Sequence, residues 1–140
     1  MTRGIYTLIL HLPRSQEIAV GALGPLQFLE GYYAYTGSAR SSSGFRRVDR
    51  HMQVMRGERK TRRWHIDYLL PLATLVETAT TTTGEDLECK VARSIACQTK
   101  AVPGFGCSDC RCPSHLHYWP KLDHLREAVH RAHQDAECSL

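Results

Sequence analysis

The sequence predicts an α/β (α+β) fold, a small, mainly antiparallel mixed sheet flanked by helices. Three observations carry that prediction. Strand-like aromatic and aliphatic runs crowd the first forty residues with only short turns between them, and short turns suit antiparallel neighbours, whereas a parallel crossover needs a long connection. Two later stretches, beginning near residues 45 and 121, repeat apolar residues every three or four positions, the period of a helix with one buried face. With 42% hydrophobic and 23% charged residues, the 140-residue chain has the balance of a globular unit large enough to bury a core, so residues 1–140 are expected to form one domain.

Residues 4–12, Gly-Ile-Tyr-Thr-Leu-Ile-Leu-His-Leu, read as a buried or half-buried strand stopped by Pro13 and an Arg-Ser-Gln-Glu turn. Ile18, Val20 and Leu23 suggest a second strand ahead of Gly24-Pro25. Residues 28–36 suggest a third, in which Tyr32, Tyr33 and Tyr35 suit a pleated, half-buried surface. Gly37 opens a Ser/Gly loop, and a helix restarts after Gly44. Phe45, Val48, Met52 and Met55 form its apolar stripe, so Arg46, Arg47, Arg50 and His51 are expected on its exposed face, with Arg47 and His51, four apart, on one side. Trp64, Ile66 and Tyr68 alternate with His65 and Asp67, which predicts another strand before Pro71, and the threonine-rich residues 75–83 predict a further extended segment. Gly84-Glu85-Asp86 opens a helix expected to reach about Gln98, with acids in its first turn and Leu87, Val91 and Ile95 four apart. Residues 103–118 form a cysteine-containing loop, and Leu122, Leu125, Val129, Ala132 and Ala136 mark a last helix over about residues 121–137.

The net charge of +4 is modest but concentrated: Arg56, Arg59, Lys60, Arg62 and Arg63 follow directly on the arginine-bearing helix. Such a field attracts polyanions, although a plain solvated loop has the same composition. No apolar run has spanning length and the N-terminus is not signal-like, so no membrane partner and a cytoplasmic location are expected. The six cysteines therefore argue for metal binding or thiols rather than a disulfide framework. Cys107, Cys110 and Cys112 with His115 offer a Cys₃His set for structural zinc. Against it, a single nine-residue stretch would have to wrap the ion, where structural sites usually draw on two separated ligand pairs; buried thiols and redox pairing stay as alternatives.

Gly4-Ile5-Tyr6 and Tyr35-Thr36-Gly37, followed by Arg47 and, four residues later, His51, resemble the signature of the GIY-YIG nuclease superfamily. The first triplet is identical to the family motif, and the second carries Thr36 where isoleucine or valine is usual. Glu88, on a later helix, is the best match to the family's metal-binding glutamate. With Trp-His-Ile-Asp-Tyr and Gly-Phe-Gly-Cys-Ser-Asp-Cys added, the chain looks most like a subgroup of small, functionally uncharacterised GIY-YIG-like proteins of bacteria and archaea, over residues 4 to about 118. Typical members of the superfamily hold the two triplets closer together; here a strand-like stretch at residues 18–23 intervenes.

The resemblance implies a metal-dependent endonuclease that hydrolyses phosphodiester bonds in nucleic acid, DNA being the first candidate, with Mg²⁺ or Mn²⁺. Tyr6 would be the general base or water-positioner with Tyr35 beside it. Arg47 would fork onto the scissile phosphate, with His51 as its companion on the helix, and Glu88 would hold the metal, with Asp67 and Glu77 as rivals. Gly37, Ser38, Arg46 and Arg50 would touch substrate. A free tyrosine is a poor base at neutral pH, so this role calls for a depressed pKa, which Arg47 and the metal could supply. Plainer ends remain open: Tyr6 as a core aromatic, Glu88 as a first-turn acid favoured by the helix dipole, and His65 and Asp67 as either cleft residues or one exposed polar face. A nucleic-acid-binding or interaction module without cleavage, or a zinc-stapled adaptor, could use the same fold.

Overall fold

The computed structural model describes residues 3–39, 44–106 and 113–138. Along the chain come β1 (Gly4–Leu12), β2 (Gln16–Ala19), a 3₁₀ turn (Gly21–Leu23), β3 (Pro25–Phe28), β4 (Gly31–Ala39), α1 (Arg46–Met55) and α2 (Ile66–Leu69). A second 3₁₀ turn (Leu70–Leu72), β5 (Thr74–Thr82), α3 (Glu88–Ala96), β6 (Lys100–Ala101), β7 (Leu116–Trp119) and α4 (Leu122–Cys138) complete it.

A strand that is apolar at nearly every position has to be covered on both faces, because successive side chains point opposite ways. β1 is such a strand. Tyr6, Leu8, Leu10 and Leu12 enter one core with Tyr33, Tyr35, Val54 of α1 and Ile66 and Leu69 of α2. Ile5 and Ile9 enter a second core with Ala34, Val91 and Ile95 of α3, and Leu125, Val129, Ala132 and Ala136 of α4. The sheet between these cores has the order β5-β1-β4-β7-β6, and all its pairings are antiparallel, so the parallel component that a mixed sheet would carry is not found among the described residues.

The stretch between the two triplets folds away as its own hairpin, β2 paired with β3. The run expected as one third strand is therefore two strands divided at residues 29–30, and Leu23 lies in a 3₁₀ turn rather than in β2. Gly31 makes the division possible: its φ of 145° is a conformation that side-chain-bearing residues avoid, and a Cβ there would lie 2.7 Å from the Tyr118 ring. With the hairpin budded off, β1 and β4 pair along their full lengths and Tyr6 stands opposite Gly37.

Residues 66–72 are helical, not a strand. Ile66, Leu69, Leu70 and Ala73 are the buried apolar positions, spaced by three and four rather than two. The Asp67 carboxylate takes the backbone N–H groups of Arg63 and Trp64, which curls the chain at the start of this element, and Pro71 falls at the beginning of a 3₁₀ turn where its missing N–H costs little. α3 begins at Glu88 and ends at Ala96, shorter than its periodicity suggested, whereas α4 spans the expected region. β6 and β7 had no expected counterpart. Among the described residues no helix is long and apolar enough to cross a membrane.

Candidate active site

The Tyr6 side chain is fully buried beneath α1, and its hydroxyl lies 2.7 Å from Nε2 of His51. Room for that hydroxyl is made by Gly37 on the paired strand, since any Cβ at Gly37 would run into the hydroxyl end of the Tyr6 ring. His51 is itself fully buried, which corrects its expected place on the exposed face: α1 turns His51 and Val54 inward, while Phe45, Val48, Met52 and Met55 are only partly buried around them. One turn earlier on the same side, Arg47 lies close enough for its positive charge to act on the same tyrosine hydroxyl. Its Nη1 donates to the Ser38 carbonyl at 2.9 Å, and its guanidinium lies 4.9 Å from the Trp64 ring centre. Tyr35 meets the His51 ring edge-on, with centroids 5.9 Å apart.

Burial dominates the protonation of this group. It holds the Tyr6 hydroxyl well above the usual tyrosine range; the neighbouring Tyr35 and the Glu88 carboxylate act in the same direction, and Arg47 only partly opposes them. The depressed pKa that a tyrosine base calls for is thus absent from the free protein. Burial, with Arg50 and Arg47 nearby and Asp67 opposing, also pushes His51 down to about 4, so its imidazole is neutral at pH 7. Tyr6 and His51 Nε2 share one proton across this bond, its direction set by the imidazole tautomer. The other imidazole nitrogen, Nδ1, has no hydrogen-bond partner among the described residues.

Arg50 is committed to structure. Both of its terminal nitrogens donate to the two oxygens of Asp67 at 3.1 Å, a forked pair with Asp67 fully buried. Burial alone would raise the Asp67 pKa, but the Arg50 fork and the N–H groups of Trp64 and Arg63 outweigh it and hold the carboxyl below its usual range. This clamp fixes Trp64, against whose ring the guanidinium groups of Arg47, Arg50 and Arg63 all lie within 5.2 Å of the centroid. Trp64 was not among the expected site residues, because nothing in its local spacing announces the three cations around it. Arg56, Arg59, Lys60 and Arg62 continue outward on an exposed segment, where Arg56 pairs with Glu58 and Arg59 with Gln53. Arg46 points to the exposed side of α1.

Glu88 opens α3 close enough to Tyr6 for its charge to act on the hydroxyl, and its Oε1 accepts a hydrogen bond from His115 Nδ1 at 2.7 Å. The carboxylate is partly exposed, so its other oxygen suits a hard cation. Among the described residues no group of three or more possible ligands gathers, but Mg²⁺ keeps much of its water and takes one or two carboxylates plus substrate phosphate, a demand that Glu88 fits. The rivals are engaged elsewhere: Asp67 in the Arg50 clamp, and Glu77 with Arg126 and His130 of α4. His65 does not line a cleft with Asp67; its Nδ1 accepts the Gly106 N–H at 2.9 Å. Cys107, Cys110 and Cys112 lie outside the described residues.

Behind the site, Thr36 has a partner that isoleucine or valine would lack. Its hydroxyl is 3.1 Å from that of Thr7, which is 2.8 Å from Nε2 of His133 on α4; His133 Nδ1 is in turn 2.8 Å from the Thr81 hydroxyl. This buried chain ties β4, β1 and β5 to α4 directly behind Tyr6 and Gly37.

The sequence model of a family described as a domain of unknown function, DUF123, matches residues 5–138. Neither the curated proteins nor the solved structures compared with the chain contain a match to it. The matched span is nearly the whole length, and the chain therefore belongs to the DUF123 family.

Proposed function

We propose that this protein is a metal-dependent endonuclease that hydrolyses phosphodiester bonds in nucleic acid, with DNA the first substrate to test. One observation carries the reading: a buried tyrosine hydroxyl bonded to a neutral histidine, seated against a side-chain-free glycine, with an arginine and a carboxylate close enough for their charges to act on it. The order Gly4-Ile5-Tyr6, Tyr35-Thr36-Gly37, Arg47, His51, Glu88 and its resemblance to the GIY-YIG signature support it further.

Tyr6 accepts the proton of an attacking water while its own hydroxyl proton passes to His51 Nε2, so the tyrosine need not be anionic beforehand and its raised pKa is no obstacle. His51 is neutral and can accept; a phosphate nearby favours the imidazolium that results. Arg47 donates to the phosphoryl oxygens, whose negative charge grows in the transition state, and the Trp64 face and Ser38 carbonyl hold its guanidinium in readiness. Glu88 would hold Mg²⁺ or Mn²⁺, which when bound neutralises phosphate charge as a Lewis acid. The exposed cations at Arg56, Arg59, Lys60 and Arg62 add a sequence-independent attraction for the backbone.

The test is single-turnover cleavage of duplex and single-stranded DNA and RNA with Mg²⁺ or Mn²⁺, alongside binding. Arg47→Ala is expected to lower cleavage by two to three decades, about 3–4 kcal/mol, with a much smaller effect on binding, whereas Arg46→Ala leaves the rate near that of the parent. Parent protein that binds but cuts none of these substrates would transfer the reading to a non-catalytic nucleic-acid-binding module, for which the exposed basic segment alone suffices.

A further inference from the structure

β5 ends the sheet: it pairs with β1 on one side, and among the described residues no strand pairs with the other. Which of its main-chain groups face outward follows from that pairing. Just past the strand, the Thr83 N–H bonds the Arg3 carbonyl directly opposite. By the antiparallel alternation Thr81, Ala79 and Glu77 also direct their N–H and C=O groups at β1, while Thr82, Thr80 and Thr78 turn theirs away from it. The devices that usually blunt an open edge are missing from this half of the strand. Residues 77–83 contain no proline, lysine or arginine, and the bulge in the β1–β5 pairing falls earlier, between Leu75 and Glu77. The Glu77 carboxylate is held against α4 by Arg126 and His130. Beside the edge, residues 77–80 form one wall of a groove of about 290 Å³ and α4 forms the other. The edge thus has both open hydrogen-bonding groups and space next to them.

We propose that this edge pairs with the same edge of a second copy, antiparallel and with the two-fold axis at Thr80. In that register Thr80 meets Thr80 and Thr78 meets Thr82 across the axis, so all three outward residues are engaged, with about six main-chain hydrogen bonds, two for each pair. Threonine opposite threonine is a favourable cross-strand pair. On the opposite face Ala79 meets Thr81, and both side chains are small. Charge selects the register. Centred on Thr80, Glu77 lies opposite Thr83 and the two Glu77 positions are six residues apart, about 20 Å; centred on Thr78, they fall within two residues of each other. A strand of another protein has no such matched register, whereas the threonine row reads the same from both copies. The axis is perpendicular to the sheet, so both copies present the same face. Tyr6 lies opposite Thr80, which places the two candidate active sites on one face of a continuous sheet, about 14 Å apart across three strand spacings. The pairing itself does not depend on what those sites do.

The experiment measures mass and amide exchange on the full chain with no nucleic acid present. Sedimentation from micromolar to near-millimolar concentration is expected to reveal a species of twice the 15.8 kDa chain mass. Amide exchange should slow at Thr78, Thr80 and Thr82 as the dimer forms, and change far less at Ala79 and Thr81, whose N–H groups already bond β1. Thr80→Pro removes an outward N–H that makes no bond to β1, and Thr80→Lys sets two like charges at the axis; each should give a monomer. Thr74→Lys, at the far end of β5, should leave the dimer intact. If Thr80→Pro does not fold, Thr80→Lys, at an exposed position, decides. A parent that stays monomeric over this range overturns the proposal, even where the edge takes up a strand from another protein. So does a dimer that survives Thr80→Lys, or one whose formation leaves the three outward amides exchanging freely. Cleavage plays no part in these readouts, so failure to cut DNA leaves the result unaffected.

Discussion

Gly37 and Tyr6 work as one unit, because the space the glycine leaves is the space the tyrosine hydroxyl occupies. Gly37→Ala is expected to displace the Tyr6 ring from His51 and to cost about 1–3 kcal/mol, the usual range for overpacking, measured as a lower urea midpoint at unchanged slope. Tyr6→Phe should not relieve it, since the ring carbon that bears the hydroxyl meets the added Cβ as well; a double variant as stable as Tyr6→Phe alone would show that the overlap is elsewhere. The residue scale also shows where reading a sequence stops. Tyr6, Gly37 and Arg47 were legible because they fall within short ordered motifs. His51 was assigned to the right partnership with Arg47 but to the wrong environment, since a periodicity that counts histidine as polar places it outside. The pair Glu88–His115 and the chain Thr7–His133 left no trace in local spacing, because each is made only when distant segments pack.

At the scale of elements, β1, α1, β5 and α4 were readable from period and propensity. α2 was not, because five residues of alternation are too few to separate a strand from a turn of helix. β7 is short, and its pairing with β4 and β6 is what makes it a strand. Where tertiary contacts define an element, polar clamps are its weak points. Asp67→Asn strips the charge that receives both nitrogens of Arg50 and two backbone N–H groups, leaving a mostly buried guanidinium without its counter-ion. A loss of about 3–5 kcal/mol is expected in urea unfolding, as for removal of one partner from a buried ion pair, and a loss under about 1 kcal/mol would mean that α1 and α2 are not coupled through it. The threonine chain gives a finer ordering. Thr36→Val leaves Thr7 still bonded to His133 and should cost about 1 kcal/mol or less, whereas Thr7→Val strands His133 Nε2 and should cost about 1–3 kcal/mol. The reverse order would mean that Thr36 rather than Thr7 carries the link to α4.

For the whole molecule the two cores face opposite sides of one sheet, and three buried histidines are held neutral: His51 beneath α1, His117 in β7 and His133 within α4. Burial pushes all three down to about 4; the positive field of Arg50 and Arg47 assists at His51, that of His115 at His117 and that of His130 at His133. Unfolding restores the ordinary value near 6.5, so between about pH 6.5 and 4 the unfolded chain binds up to three more protons than the native one. Native stability is therefore fully present above the unfolded value and falls as the pH drops through this window, by about 1.4 kcal/mol per pH unit for each histidine. Moving from pH 7.5 to 5 is expected to remove about 6 kcal/mol, a large share of the 5–15 kcal/mol typical of a domain. Acid release of a bound metal would act in the same direction, so the discriminating readout is the difference between the parent and His133→Gln, which cannot titrate at that position. Urea midpoints for the two, measured at pH 7.5, 6 and 5, should converge as the pH falls, because the variant, with His51 and His117 still titrating, loses stability at about two-thirds of the rate. Parallel curves would show that His133 takes up its proton as readily in the native protein as in the unfolded chain, and that the polar chain behind the candidate site does not hold it neutral.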